Sequence, residues 1–182
     1  MDKKLANKKQ TRLLWIDLEM TGLDPLKNRI IEVGVIVTDW NFNELAVFET
    51  VIHQPSRIMA KMDEWNTIQH GKSGLTERVK ESTISEKSAE AEVIAILKEH
   101  FPKDVPVILA GNSIHMDRRF IISRWPKLDA YLHYRMLDVS AWKLVFEGKF
   151  GKKFAKPESH RALEDIRGSI EELKYYLTKL SR

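Results

Sequence analysis

The first half of the chain alternates short apolar runs with turn-forming residues. Runs at 13–20, 30–39 and 45–53 have the length and the β-branched and aromatic content of strands. Glycine, proline, asparagine and aspartate are concentrated between them, at 21–25 and 41–43, where they indicate turns. Because connections this short favour antiparallel pairing, the pattern predicts a three-stranded antiparallel meander.

The second half alternates helical and strand-like patterns. Apolar residues recur at helical spacing over 85–101, a strand-like run covers 105–110, and residues 111–113 open another helical stretch. A short last strand is predicted at 134–138. Ser159 is a suitable N-cap for a final helix, whose apolar positions are Ala162, Ile166, Ile170, Leu173 and Leu177. This order predicts an α/β fold in which a mixed sheet is flanked by helices.

The composition is that of one globular domain with a charged extension. Residues 13–182 are predicted to form a single domain, and no apolar stretch approaches the ~18 residues of a membrane span. With neither a secretory signal nor any cysteine, we expect a cytoplasmic protein without thiol chemistry. The net charge of +4 equals the excess of basic over acidic residues in 1–12, where the five basic residues Lys3, Lys4, Lys8, Lys9 and Arg12 accompany one acid, Asp2. This segment is predicted to be a disordered tail, so the charge is weak evidence for a nucleic-acid partner.

Two acids lie inside the first apolar strand. Side chains two residues apart on a strand share a face, so Asp17 and Glu19 project together, about 6.6 Å apart along the strand. Neighbouring carboxylates in an apolar setting repel each other and lose hydration unless a cation or a proton neutralises them. Oxygen-rich sites of this kind suit Mg²⁺ or Mn²⁺. An isolated Asp-x-Glu pair is more often a solvated strand edge, so further carboxylates are needed.

Three further residues extend this candidate site. Asp117 lies in the first turn of the helix that follows the strand at 105–110, where ligands bind in such sheets, although the helix dipole alone also favours an acid there. His160 and Asp165 are five helical steps, about 140°, apart, so they do not share a ligand face. His160 is expected at the start of the helix and Asp165 beside its packed side; a surface histidine at a helix start needs no function.

These five residues occur in the order and local context of the DEDDh exonucleases, and the chain resembles the oligoribonucleases within that family most closely. The matching segments span nearly all of residues 13–182 and lie at 14–24, 62–66, 111–113, 117–120, 133–135, 137–140 and 160–165. The resemblance implies an RNase H-like fold, with an antiparallel meander plus parallel strands flanked by helices. One departure is His115-Met116, where those enzymes usually carry Gly-Gln.

The resemblance also implies a 3′-5′ exoribonuclease that hydrolyses very short RNA to 5′-mononucleotides. Two divalent ions, Mg²⁺ or Mn²⁺, would be held by Asp17, Glu19, Asp117 and Asp165, with His160 as the general base. Leu23 and Trp65 would stack against bases, and Ser113 would contact the 3′-terminal phosphate. In a homodimer, a segment of one protomer would cap the 5′ end of the RNA in the other: His133, Tyr134 and Arg135.

Two alternative functions are also compatible with the sequence. A DNA-directed proofreading-type exonuclease of the same superfamily would have the same metal site, because that site does not recognise the sugar. A catalytically silent nucleic-acid-binding module would keep the fold without the reaction. The presence of all five reactive residues argues against the silent module, whereas the preference for RNA rests on the resemblance alone.

Overall fold

A five-stranded sheet forms the centre of the computed structural model, which describes residues 11–155 and 161–180. Its strands are β1 (Arg12–Met20), β2 (Ile30–Asp39), β3 (Glu44–Val51), β4 (Val107–Gly111) and β5 (Leu132–Asp138). The order is β3-β2-β1-β4-β5. Strands β1 to β3 pair antiparallel, and β4 is parallel to both β1 and β5. The predicted α/β fold, a meander plus parallel strands, is confirmed.

Helices cover both faces of this sheet. Within the described residues they are α1 (Ser56–Met59), α2 (Glu64–Lys72), α3 (Leu75–Glu81), α4 (Glu86–His100), α5 (His115–Arg124), α6 (Pro126–Asp129), α7 (Val139–Phe150) and α8 (Ala162–Thr178). Helices α4, α5 and α8 match predicted helical stretches, whereas α1 to α3, α6 and α7 were not predicted. The proposed N-cap Ser159 lies outside the described residues.

Alternation along β1 divides the core into two layers. Leu14, Ile16 and Leu18 pack with residues of α4 and α5 on one face, whereas Leu13 and Trp15 pack on the other face. There they meet the apolar side of α8, which consists of Ile166, Ile170 and Leu173. Because Asp17 and Glu19 follow the same alternation, they project from β1 on the side that α8 covers.

Strand β1 begins at Arg12, the last residue of the segment predicted as a tail, and the Arg12 guanidinium donates to the carbonyl of His100. Residues 1–10 of that segment lie outside the described residues. None of the helices in the described parts of the chain is both long enough and apolar enough to cross a membrane.

Candidate active site

Three carboxylates meet between β1 and α8. Asp17 and Glu19 project from the strand, and Asp165 projects from the first turn of the helix. One ligand atom from each side chain lies within 4.8 Å of those from the other two. All three side chains are half-buried. Carboxylate oxygens this close together form a donor set that fits a divalent cation.

The close approach of α8 to the sheet depends on Gly34. This residue lies in β2 directly opposite Asp17. A Cβ atom at position 34 would come within 2.8 Å of the Ala162 Cβ and 3.1 Å of the Leu163 nitrogen. The first turn of α8 therefore rests on the backbone of β2, which brings Asp165 beside Asp17.

Replacing Gly34 with alanine is expected to push the start of α8 away from the sheet. We expect a loss of about 1–3 kcal/mol in the free energy of unfolding, together with weaker Mn²⁺ binding because Asp165 moves with the helix. Thermal unfolding and Mn²⁺ calorimetry measure the two effects. Gly71→Ala is the matched control, since a Cβ at this position in α2 meets no atom within 4 Å. Equal behaviour of the two variants would contradict the assigned role of Gly34.

Asp117 lies beside the end of β1, on the side where β4 pairs with that strand. The pairing of β1 with β4 ends at Trp15 and Ala110, and beyond it the amide of Leu18 donates to Asp117 Oδ1 at 2.9 Å. Asp117 thus lies against the backbone between Asp17 and Glu19, but it is not a member of the group of three close carboxylates.

Burial raises the pKa of Asp117 to about 7 against the opposing effect of the Leu18 hydrogen bond, and the charge of Asp138 adds to the rise. Burial, followed by the charges of Glu32, Asp165 and Asp117, raises the pKa of Glu19 to about 8. Acids in this state hold protons near neutral pH unless a cation replaces them. The electrostatics therefore agree with the donor geometry, since both favour a bound cation.

Glu32 is a buried acid of this region that the sequence pattern does not identify. It lies in β2 directly opposite Glu19 and is fully buried. Arg78 Nη2 lies 2.9 Å from Glu32 Oε1, but neither Glu32 oxygen has an aligned hydrogen bond within the described residues, so we treat the contact as an ion pair. Burial raises the pKa of Glu32 while Arg78 lowers it. The only signal in the sequence is a single acid within the apolar run at 30–37.

A second ion pair lies at the start of α8. Arg161 Nη2 is 3.6 Å from Glu49 Oε2 on β3, and the Arg161 carbonyl accepts the amide of Asp165 at 2.9 Å. Arg161 therefore joins the first turn of α8 to the edge of the sheet. His160, the predicted general base, directly precedes Arg161 and lies outside the described residues.

The two predicted base contacts are exposed apolar side chains near the end of β1. Leu23 follows that strand and is 67% exposed, and Trp65 on α2 is 60% exposed. Helix α2 lies beside the end of β1, as the 2.9 Å distance from His70 Nε2 to the Met20 carbonyl oxygen shows. An exposed tryptophan offers a flat aromatic surface on which a base can stack, and an exposed leucine offers an apolar surface that can wedge against one.

Ser113 lies at the corner between β4 and α5, in a left-handed conformation with φ of 51°. Its amide donates to Asp138 Oδ1 at 3.0 Å and to Ser140 Oγ at 2.6 Å. Asp138 also caps α7 by accepting the amide of Ser140. The sequence pattern was not interpreted as a helix cap at Asp138. An aspartate two residues before Ser140 and ahead of an apolar helix is nevertheless an N-cap signal.

His133, Tyr134 and Arg135 lie on the edge strand β5, away from the carboxylates of the same chain. The His133 and Tyr134 rings stack with centroids 4.5 Å apart, and the Arg135 guanidinium lies 5.3 Å from the Tyr134 ring centroid. Through Ala110 of β4, Leu137 is level with Trp15 of β1, so Tyr134 lies about 10 Å before that level along the sheet, whereas Asp17 lies beyond it. The structure thus brings the three carboxylates together but leaves this segment apart from them.

Comparison with known proteins places the chain in a family. A family model described as Exonuclease (RNase_T) matches residues 14–173. The oligoribonuclease of Pseudomonas aeruginosa is 52% identical over 168 residues, which cover 90% of this chain and 93% of that protein. The oligoribonuclease of Halorhodospira halophila is 49% identical over 174 residues, which cover 93% and 94%.

Solved structures share the fold at low sequence identity. The nuclease domain of 3′hExo, a DEDDh family member bound to rAMP, has a TM-score of 0.64 and 14% identity, with 94% of each chain covered. A zinc-bound complex of Escherichia coli exonuclease I with single-stranded DNA has a TM-score of 0.66 and 16% identity, covering 96% of this chain and 42% of that one. The solved structures support the fold, and the close identity to oligoribonucleases, together with the exonuclease family model, shows that the chain belongs to the oligoribonuclease family of exonucleases.

Proposed function

We propose that this protein is a 3′-5′ exoribonuclease that hydrolyses very short RNA oligonucleotides to 5′-mononucleotides. The observation that carries the proposal is the convergence of Asp17, Glu19 and Asp165, with Asp117 against the backbone between the first two. A phosphodiester approaching this group needs positive charge to offset its own and that of the carboxylates, and bound divalent cations would supply it. The family of the chain then favours RNA over DNA.

The metal-binding residues are Asp17, Glu19, Asp117 and Asp165, and the cofactor is two Mg²⁺ or Mn²⁺ ions. Bound divalent ions supply Lewis acidity at the scissile phosphate. Glu19 and Asp117 must be deprotonated to serve as ligands, so the raised pKa of each makes metal binding compete with protons near neutral pH.

His160 is proposed to accept the proton of the attacking water. It directly precedes Arg161, which is joined to both Glu49 and Asp165. Replacing His160 with alanine is expected to lower the rate roughly 100-fold, because general-base catalysis contributes at least that much. Mn²⁺ affinity should stay near that of the native protein, since the carboxylates are intact. Calorimetry in which metal affinity is lost with the histidine would instead make His160 a ligand.

Leu23 and Trp65 are proposed to stack against the bases, and Ser113 to contact the 3′-terminal phosphate. Both apolar side chains are exposed near the end of β1. Stacking tolerates any base, since every base has an aromatic face. The protein would therefore degrade short RNA without strong sequence preference.

We also propose a homodimer in which His133, Tyr134 and Arg135 of one protomer contact the 5′ end of RNA bound to the other. The edge strand and the helix after it expose apolar side chains: Tyr134 at 75%, Met136 at 36%, Leu144 at 72% and Val145 at 53%. A second copy would cover this surface. A guanidinium such as that of Arg135 binds a terminal phosphate well.

If Arg135 contacts the 5′ phosphate in such a dimer, Arg135→Ala should raise the KM for 5′-phosphorylated RNA dinucleotides by roughly 10-fold or more, because a charge-assisted contact is lost. The protein should elute as a dimer from a sizing column, and hydrolysis should slow sharply as the RNA lengthens. Arg57→Ala is a control for loss of an exposed arginine from α1, outside the proposed interface. A monomer that degrades long and short RNA equally well would contradict the capping role.

Labelled RNA and DNA dinucleotides, incubated with the protein and Mn²⁺, test the proposed function. The expected result is metal-dependent release of 5′-mononucleotides, faster from RNA than from DNA. Preferential hydrolysis of DNA would favour the proofreading type of exonuclease. Binding of either substrate without hydrolysis would favour the silent nucleic-acid-binding module.

A further inference from the structure

The end of β1 that carries Glu19 is joined to helices α1 to α3 at a β-bulge. Glu19 pairs with Glu32, but the next residue, Met20, pairs with Ile30, so Ile31 is an extra residue in β2. The Ile31 side chain is fully buried and packs with residues of α1 and α3, which are Met59, Leu75 and Val79. Bulges redirect side chains where they occur, and this bulge directly follows Glu19 in the ladder.

His70 on α2 contacts the backbone at the same place. Its ring is buried, with 4% exposure, and Nε2 lies 2.9 Å from the carbonyl oxygen of Met20. A carbonyl only accepts, so the imidazole donates and its proton is on Nε2. A buried hydrogen bond of this kind restrains the peptide that follows Glu19.

Arg78 on α3 contacts the neighbouring strand, β2, on the other side of Glu19. Its guanidinium lies 2.9 Å from Glu32, the fully buried residue opposite Glu19 in the ladder. Removing that positive charge would leave an unpaired buried carboxylate beside the metal site. Helices α2 and α3 thus reach both strands at the position of Glu19, one through His70 and the other through Arg78.

We propose that His70 and Arg78 are positioning residues that hold Glu19 in its metal-binding geometry, His70 through the Met20 peptide and Arg78 through Glu32. The inference rests on the proposed function of Glu19 as a metal ligand. Once deprotonated, Glu19 is repelled by Glu32 and Asp165, so its orientation needs restraint from the backbone until a cation binds. His70 and Trp65 both lie on α2. If stacking of a base on Trp65 moved this helix, the His70 hydrogen bond would also displace the Met20 peptide.

Paired substitutions at His70 separate the hydrogen bond from the bulk of the side chain. His70→Leu removes the donor, whereas His70→Gln keeps an amide donor of similar length. The leucine variant is expected to bind Mn²⁺ roughly 10- to 100-fold more weakly, the range seen when residues that orient metal ligands are lost. The glutamine variant should recover most of the affinity. Calorimetry with Mn²⁺ alone measures this without relying on activity.

His53→Leu is the control for loss of a histidine contact at an exposed position. His53 Nδ1 lies 3.2 Å from the Val79 carbonyl, so this variant also removes a histidine contact to the α2–α3 region, but one that does not touch β1. It should bind Mn²⁺ like the native protein. Equal loss in His53→Leu and His70→Leu would show a general effect on packing and overturn the proposal. Equal affinity of His70→Leu and the native protein, or no recovery in His70→Gln, would also overturn it.

If His70→Leu does not fold, Arg78→Gln and Arg78→Lys provide the test. Glutamine removes the positive charge beside Glu32, so a folded Arg78→Gln variant should bind Mn²⁺ several-fold more weakly, whereas lysine keeps the ion pair and should recover most of the affinity. Native affinity in folded Arg78→Gln would overturn the proposal. Failure of the proposed function gives a different result, namely that the native protein binds Mn²⁺ but releases no mononucleotide from short RNA.

Discussion

Replacing Asp117 with asparagine is expected to reduce Mn²⁺-dependent RNA hydrolysis by more than roughly 100-fold, because a direct ligand should matter at least as much as the residues that orient one. The amide oxygen of asparagine can still accept from Leu18, so the end of β1 keeps its hydrogen bond. The substitution also removes a buried carboxyl group whose pKa is raised to about 7. The metal-free variant should therefore be as stable as the native protein, or more stable, above that pH.

Three measurements check this expectation: RNA hydrolysis with Mn²⁺, Mn²⁺ calorimetry and thermal unfolding without metal. Asp104→Asn is the matched control. Asp104 is an exposed aspartate before the start of β4, at the opposite end of that strand from Asp117, and asparagine tolerates its positive φ of 68°. This control should keep native activity. Near-native hydrolysis by Asp117→Asn would show that Asp117 is not a required ligand.

The sequence predicts the meander and the strand acids because both depend on local pattern. Short turns leave β1, β2 and β3 no other arrangement than antiparallel pairing, and the alternation of apolar residues in β1 places Asp17 and Glu19 on one face. These features need no knowledge of distant contacts. For Asp165 the helical spacing predicts only a place beside the packed side of α8, because its approach to Asp17 depends on the contact of α8 with Gly34.

Glu32 shows why the remainder of the site could not be predicted in the same way. Its role depends on Arg78, which belongs to a short helix without a strong apolar periodicity and is far away in the chain. An acid in an apolar run is compatible with a solvated strand edge, whereas in the structure Glu32 is fully buried and paired with Arg78 of α3. Helix α7 was missed because it follows β5 directly, with Asp138 serving both as the end of the strand and as the helix cap.

Without metal, the protein is expected to lose stability as the pH rises from about 4.5 to about 8. The pKa of Glu19 is raised from 4.5 to about 8 and that of Asp117 from 3.8 to about 7. The folded protein therefore retains protons that the unfolded chain has already lost. For acids with raised pKa values, this stabilisation is complete below the unfolded pKa and disappears as the pH passes the folded pKa.

Mn²⁺ is expected to reverse this loss, and its effect should grow with pH, because each ligand must release its proton before it binds the cation. The unfolding midpoints with and without Mn²⁺ should diverge steadily between pH 5 and pH 8. The difference should be roughly 2–4 °C for each kcal/mol by which Mn²⁺ binding stabilises the folded protein. Calorimetry in buffers of different ionisation enthalpy should detect proton release on binding. Glu19→Gln removes one of the two acids whose pKa values are strongly raised, so this variant should show a flatter pH dependence and less stabilisation by Mn²⁺. A native protein whose metal-free midpoint stays constant or rises from pH 5 to 8 would contradict the account of Glu19 and Asp117 as buried acids that await a cation.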